Sequence, residues 1–245
     1  MENFFTKDFI GPEFVFLGPE HMTAMAVILI LNLLLLRLRK ASPEERNKAA
    51  LVMALVLWGN EIGWHLWNAS AGQWNIQTML PFHVCSILVW LGGWMLVKRN
   101  YAIYEYMYFL GIGGALQAII TPDLGIYGYP HYRFFQTFIS HGLIVTAAIY
   151  MTAVEGFRPT WKSLLRVIVG GNIYMLIVTG INWLVGSNYL YTLRKPDTAS
   201  LFDIMPEWPW YLLVVQGIGL VTFLLLYLPF IIKDWHKAPV PIQET

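Results

Sequence analysis

A chain of 245 residues that is 57% hydrophobic, 16% aromatic and only 13% charged, with mean hydropathy +0.52, is too apolar for a soluble domain of ordinary composition. The formal net charge of +1 gives no footprint for nucleic acid, and a single cysteine excludes an internal disulfide. Lipid is the solvent such a chain requires, so the expected fold class is all-α: a polytopic membrane protein forming one integral membrane domain over residues 1–245.

A membrane-spanning helix takes about 20 apolar residues. Seven stretches qualify, at about 21–37, 49–69, 79–97, 103–121, 134–152, 163–186 and 209–232, and they predict seven transmembrane helices. Ahead of the first, Met1–Glu20 carries acids, prolines and glycines where a cleavable signal would be basic, so no signal peptide is expected. The run from Arg37 to Lys48 reads as a solvated loop that specifies orientation. Seven crossings place 12 of the 16 lysines and arginines on the side of the C-terminus, from Arg37 through Lys98, Arg99 and Arg158 to Lys233 and Lys237. The opposite side holds Lys7, Arg133, Arg194 and Lys195, so the positive-inside rule predicts N-terminus out and C-terminus in. Trp208 and Trp210 at one end of the last stretch, with Trp235 at the other, fit interfacial belts.

Polar residues gather toward the outer ends. The second stretch carries Glu61, His65 and Asn68, spaced four and three and therefore on one helix face. The third opens with Leu80-Pro81-Phe82-His83-Val84-Cys85-Ser86. The fourth leaves through Gln117 and Thr121-Pro122-Asp123, the fifth begins after His131, Tyr132 and Arg133 and holds Gln136, Ser140 and His141, and the sixth offers Thr179 and Asn182. At about 1.5 Å per residue, Cys85 and His141 both fall roughly 10 Å below the outer boundary.

For Asn68, Gln117, Ser140, Thr179 and Asn182 the ordinary expectation is hydrogen bonding that ties helices together, at about 0.6–2 kcal/mol each. Ionisable groups within spans mark functional sites, which selects Glu61, His65, Cys85 and His141. His83 lies two residues from Cys85 and so points away from it on a helix; it has a lipid-facing or capping alternative. Asp123 either turns the chain after Pro122 or pairs with His131 or Arg133 at the rim. Gly59 and Gly63, then Gly111 and Gly114, read as close helix contacts. A retinal protein would need a lysine in the last helix, and Trp210–Ile232 has none; no HxxxH or HExxH spacing supports a metal site.

The run Leu80–Ser86, then Gly111-Ile112-Gly113-Gly114-Ala115-Leu116-Gln117, Thr121-Pro122-Asp123-Leu124, His131-Tyr132-Arg133-Phe134-Phe135 and Ser140-His141-Gly142 resemble the YwaF family of bacterial integral membrane proteins. Asn182-Trp183-Leu184 and Lys195-Pro196-Asp197-Thr198-Ala199-Ser200 extend the resemblance over nearly the whole chain. That family is similar to the animal transmembrane protein 164 family, acyltransferases that move a fatty acyl chain between phospholipids through a cysteine and a histidine. Carried over by motif, those two are Cys85 and His141. The resemblance thus implies an acyltransferase or lipase-like enzyme of the bacterial plasma membrane, with a membrane phospholipid as partner and neither cofactor nor metal. Chemically, His141 would deprotonate the thiol, Glu61 or Asn182 would orient that imidazole, and Arg133, Gln117 or Asn182 would serve a tetrahedral oxyanion. His65, His83 and Asp123 would complete the cavity. The alternative is a transporter or receptor that binds a small polar ligand in the same outer cavity.

Overall fold

The structure, a computed structural model, describes residues 3–197 and 201–235, the last three as backbone only. Lys237, the side chains of Lys233 and Trp235, and the Thr198-Ala199-Ser200 end of the last motif lie outside the described residues.

Each helix starts where the local chemistry allows. α1 (Pro19–Leu35) opens on Pro19, whose missing N–H is no loss in a first turn, and tightens into a 3-10 turn at Leu36–Lys40. α2 (Pro43–Ser70) begins ahead of its apolar stretch because Ser42 and Glu45 form a capping box: Ser42 Oγ accepts from Glu45 N–H at 3.3 Å and Glu45 Oε2 accepts from Ser42 N–H at 2.7 Å. α3 (Val84–Lys98) starts five residues later than its apolar stretch, since the chain around Pro81 forms turns, and it ends on Arg99 at φ 52°. α4 (Tyr101–Ile120) is capped by Asn100, whose Oδ1 accepts from Ile103 N–H at 2.9 Å, and a π turn interrupts it at Met107–Gly111. α5 (Tyr132–Ala153) is capped by His131. α6 (Trp161–Val185) has its own Thr160/Ser163 capping box and stops on Gly186 at φ 70°; α7 is Trp210–Trp235.

Six of these helices are long and apolar enough to cross a membrane, and α3, with 15 residues, is a shorter apolar helix. The protein is therefore an all-helical multi-pass membrane protein. α2, α3, α4 and α5 surround the core, with α5 at its centre: 72% of its apolar window is buried, against 11%, 17% and 6% for α1, α6 and α7. Those outer helices display Leu29, Leu33, Ile173, Leu176, Val221 and Leu225, a surface that only hydrocarbon can solvate.

Close approach is set by glycines other than some of those expected. At Gly93 a Cβ would stand 2.3 Å from Trp58, whose indole N–H donates to Trp90 O at 3.1 Å and joins α2 to α3. Gly63 abuts the Tyr132 hydroxyl and Gly111 abuts Ile144, as a packing role requires, but Gly59 is exposed and a Cβ there would touch nothing within 4 Å. His21 pins α1 to α4: Leu17 N–H donates to Nδ1 at 3.1 Å, so Nε2 carries the proton and donates to Ile119 O at 2.8 Å. At the other end of the bundle Arg99 pairs with Glu155 at 3.1 Å, and Arg166 of α6 grips buried Glu105 of α4 through two nitrogens.

Candidate functional site

A cavity of about 650 Å³ opens between α2, α3, α4, α5 and the turn at Leu190–Tyr191. Glu61, His83, Cys85, Asp123, Arg133 and His141 all line it, together with Trp64, Gln136, Thr137 and Ser140. His65, Gln117 and Asn182 do not.

Cys85 occupies the second position of α3, between Val84 and Ser86 on the cavity wall. His83 stands at the N-cap position with φ −68° and ψ 147°, but its side chain makes no cap; its ring packs between Tyr189 and Tyr191, each centroid 5.3 Å away, and Nδ1 meets Leu190 N–H at 3.4 Å. It is thus neither lipid-facing nor capping. The first intrahelical bond runs from Ile87 N–H to His83 O at 3.1 Å. The amides of Val84, Cys85 and Ser86 therefore have no partner inside the helix and carry its positive end into the cavity. These backbone donors at Cys85 were missed from sequence, because no Ser, Thr, Asp or Asn marked where α3 begins.

His141 is oriented by its own helix. Its Nδ1 lies 2.8 Å from Thr137 O, and a carbonyl only accepts, so Nδ1 carries the proton and Nε2 keeps its lone pair. The orienting partner is neither Glu61 nor Asn182. Among the described residues no hydrogen bond links Cys85 to His141; the two share the cavity wall.

The charged rim is built on α5 and α2. His131 Nδ1 accepts from Arg133 N–H at 3.0 Å and starts α5, while its Nε2 donates to Thr6 O at 2.9 Å. Burial pushes the His131 imidazole below its ordinary range, in agreement with that neutral tautomer. The Arg133 guanidinium lies 4.1 Å over the Trp64 ring, donates to Gln136 Oε1 at 2.5 Å, and has Asp123 and Glu61 as its electrostatic neighbours.

Three expected residues have other work. His65 takes the Trp74 indole N–H on Nδ1 at 3.0 Å and turns Nε2 toward Glu61 Oε1 at 3.7 Å. Gln117 is exposed on the outside of α4. Asn182 is fully buried and spends its whole amide on the loop after α6: Nδ2 donates to Tyr189 O at 2.8 Å and Thr192 Oγ1 at 3.0 Å, and Oδ1 accepts from Ser187 Oγ at 2.7 Å and Tyr189 N–H at 2.8 Å. It has no donor left for an oxyanion.

Compared with known proteins, the chain matches the TMEM164 family model over residues 16–227. No curated protein and no solved structure matches it.

Proposed function

We propose, from the premise that the chain belongs to the TMEM164 family, that it is an intramembrane acyltransferase that carries a fatty acyl chain from a phospholipid through a thioester on Cys85. One observation carries this reading: a thiol in the uncapped first turn of a helix and an imidazole with an unprotonated Nε2 line one cavity. In the first half-reaction Cys85 gives its proton to His141 Nε2, and the thiolate bonds to the ester carbonyl carbon. The C–O bond to glycerol then breaks, and the departing alkoxide takes the proton back from His141. In the second, the hydroxyl of a lysophospholipid gives its proton to His141 and attacks the thioester, returning the thiolate. The positive end of α3 favours both thiolate and oxyanion. Arg133 offers the charge for a phosphate. Incubated with phospholipid, the purified protein should gain the mass of one acyl chain, removable by hydroxylamine and mapping to Cys85. An unmodified mass with every phospholipid class would overturn the reading.

We also read α3 as a seventh crossing, with the N-terminus outside, in a bacterial plasma membrane as the resemblance to the YwaF family implies. Ser70 and Glu44 lie at opposite ends of α2. In a Cys85→Ala background, Ser70→Cys should react with an impermeant maleimide on intact cells and Glu44→Cys only after permeabilisation. The reverse pattern would invert the orientation.

A further inference from the structure

Most glycines of the core are there because a neighbour fills their space. A Cβ on Gly111 would stand 3.2 Å from Ile144, one on Gly113 3.1 Å from Thr222, and one on Gly92 2.9 Å from Met107. Gly114 differs. It is partly buried, and a Cβ there would meet a single atom within 4 Å, Cys85 Sγ at 3.8 Å. Nothing else closes around the missing side chain, and Ala118, one turn further along α4, lines the cavity. The π turn at Met107–Gly111 presents this face: its extra residue rotates everything after it by about 100° relative to an unbroken helix.

We propose that Gly114 determines what Cys85 can carry, because its missing side chain leaves the space beside Sγ that a fatty acyl group occupies once bonded to the sulfur. The inference rests on Cys85 being the acylated atom. A thioester places a planar carbonyl and the first methylenes within one to three bonds of Sγ. A methyl group at 114 sits in ordinary van der Waals contact with the sulfur and leaves that volume open, whereas a branched side chain reaches into it. Gly114 and small Ala118 together form a smooth wall along which an extended chain can lie.

The test compares Gly114→Ala and Gly114→Leu with the parent protein, scored by two independent rates on Cys85: alkylation by N-ethylmaleimide, and acylation by a long-chain phospholipid. Gly114→Ala should stay within about twofold on both, and Gly114→Leu should lose roughly tenfold in alkylation and about 100-fold in acylation, at an unchanged unfolding temperature. Should Gly114→Leu fail to fold, Ala118→Leu obstructs the same wall and should show the same selective loss of acylation. Acylation of folded Gly114→Leu, or of Ala118→Leu where it stands in, at the parent rate overturns the inference and leaves the acyltransferase reading standing. A parent that forms no thioester with any phospholipid removes the acyltransferase reading and this inference with it, whatever the alkylation rates.

Discussion

Cys85→Ala is expected to abolish acyl transfer, and His141→Ala to slow acylation of Cys85 by about 10²–10⁴-fold, the range that a positioned general base supplies. Attack on an ester requires the thiolate, and His141 offers an unprotonated Nε2 on the same wall to take the proton of Cys85. The uncapped amides of α3 favour the thiolate once formed but take up no proton, so they soften the loss without replacing the imidazole. The fold should survive. Removing the imidazole deletes one hydrogen bond, to a carbonyl of its own helix, and leaves the contacts of α5 with α2 and α4 in place. Intact-mass time courses decide it, with unfolding temperature as control. Equal rates in His141→Ala and the parent would remove His141 as the base and turn attention to His83. A transporter or receptor using the cavity would instead keep its ligand affinity in Cys85→Ala, which equilibrium binding measures.

Asn182→Ala should lower stability by about 3 kcal/mol and the unfolding temperature by roughly 6–12 °C, a large effect for one polar side chain. Four hydrogen bonds depend on the Asn182 amide, and with it gone Tyr189 N–H, Tyr189 O and the Ser187 and Thr192 hydroxyls are left unpaired among buried residues. Tyr189 in turn fastens this loop to the one before α3, its hydroxyl accepting from Leu80 N–H at 2.8 Å and donating to Ile76 O at 2.7 Å. Asn182→Asp keeps the two acceptor contacts and loses the two donated ones, so it should fall between. Thermal unfolding in detergent checks the order. An unchanged melting point with lost acylation would mean that Asn182 acts on the substrate after all.

The convergence of polar residues at one end of the bundle was legible because helical spacing and depth are local properties: Glu61 and Asn68 share a face whatever surrounds them. His141 and Arg133 reach the cavity for the same reason, whereas Cys85, in the first turn of a helix that starts later than expected, and Asp123, in the turn after α4, are brought there by the loops beside them. What was not legible depends on distant partners or on phase. The work of Asn182 is set by residues five to ten positions later, in a loop with no regular period. Gln117 follows the π turn, which shifts its face outward in a way no count at 3.6 residues per turn anticipates. His65 was aligned with Glu61 correctly, but Trp74 turns its ring aside. The early start of α2 could have been read from Ser42 and Glu45, whose spacing signals a capping box; apolarity alone hid it.

α3 rises roughly 22 Å over its 15 residues, against about 30 Å of hydrocarbon. With α3 read as a seventh crossing, the shortfall would be made up by non-helical chain before Val84, and such backbone is stable at membrane depth only where protein buries it or water reaches it. Part is served by tyrosines, Tyr174 donating to Phe82 O at 3.0 Å and Tyr189 to Ile76 O; the remainder faces the open cavity. Cys85 lines the same cavity, so water entering this recess would reach its sulfur. On the acyltransferase reading, an acyl group on the sulfur would therefore have two fates, and transferase and lipase would become the limits of a single partition ratio. Free fatty acid would dominate when lysophospholipid is scarce and fade as it accumulates, so product composition would report how damaged or remodelled the surrounding bilayer is.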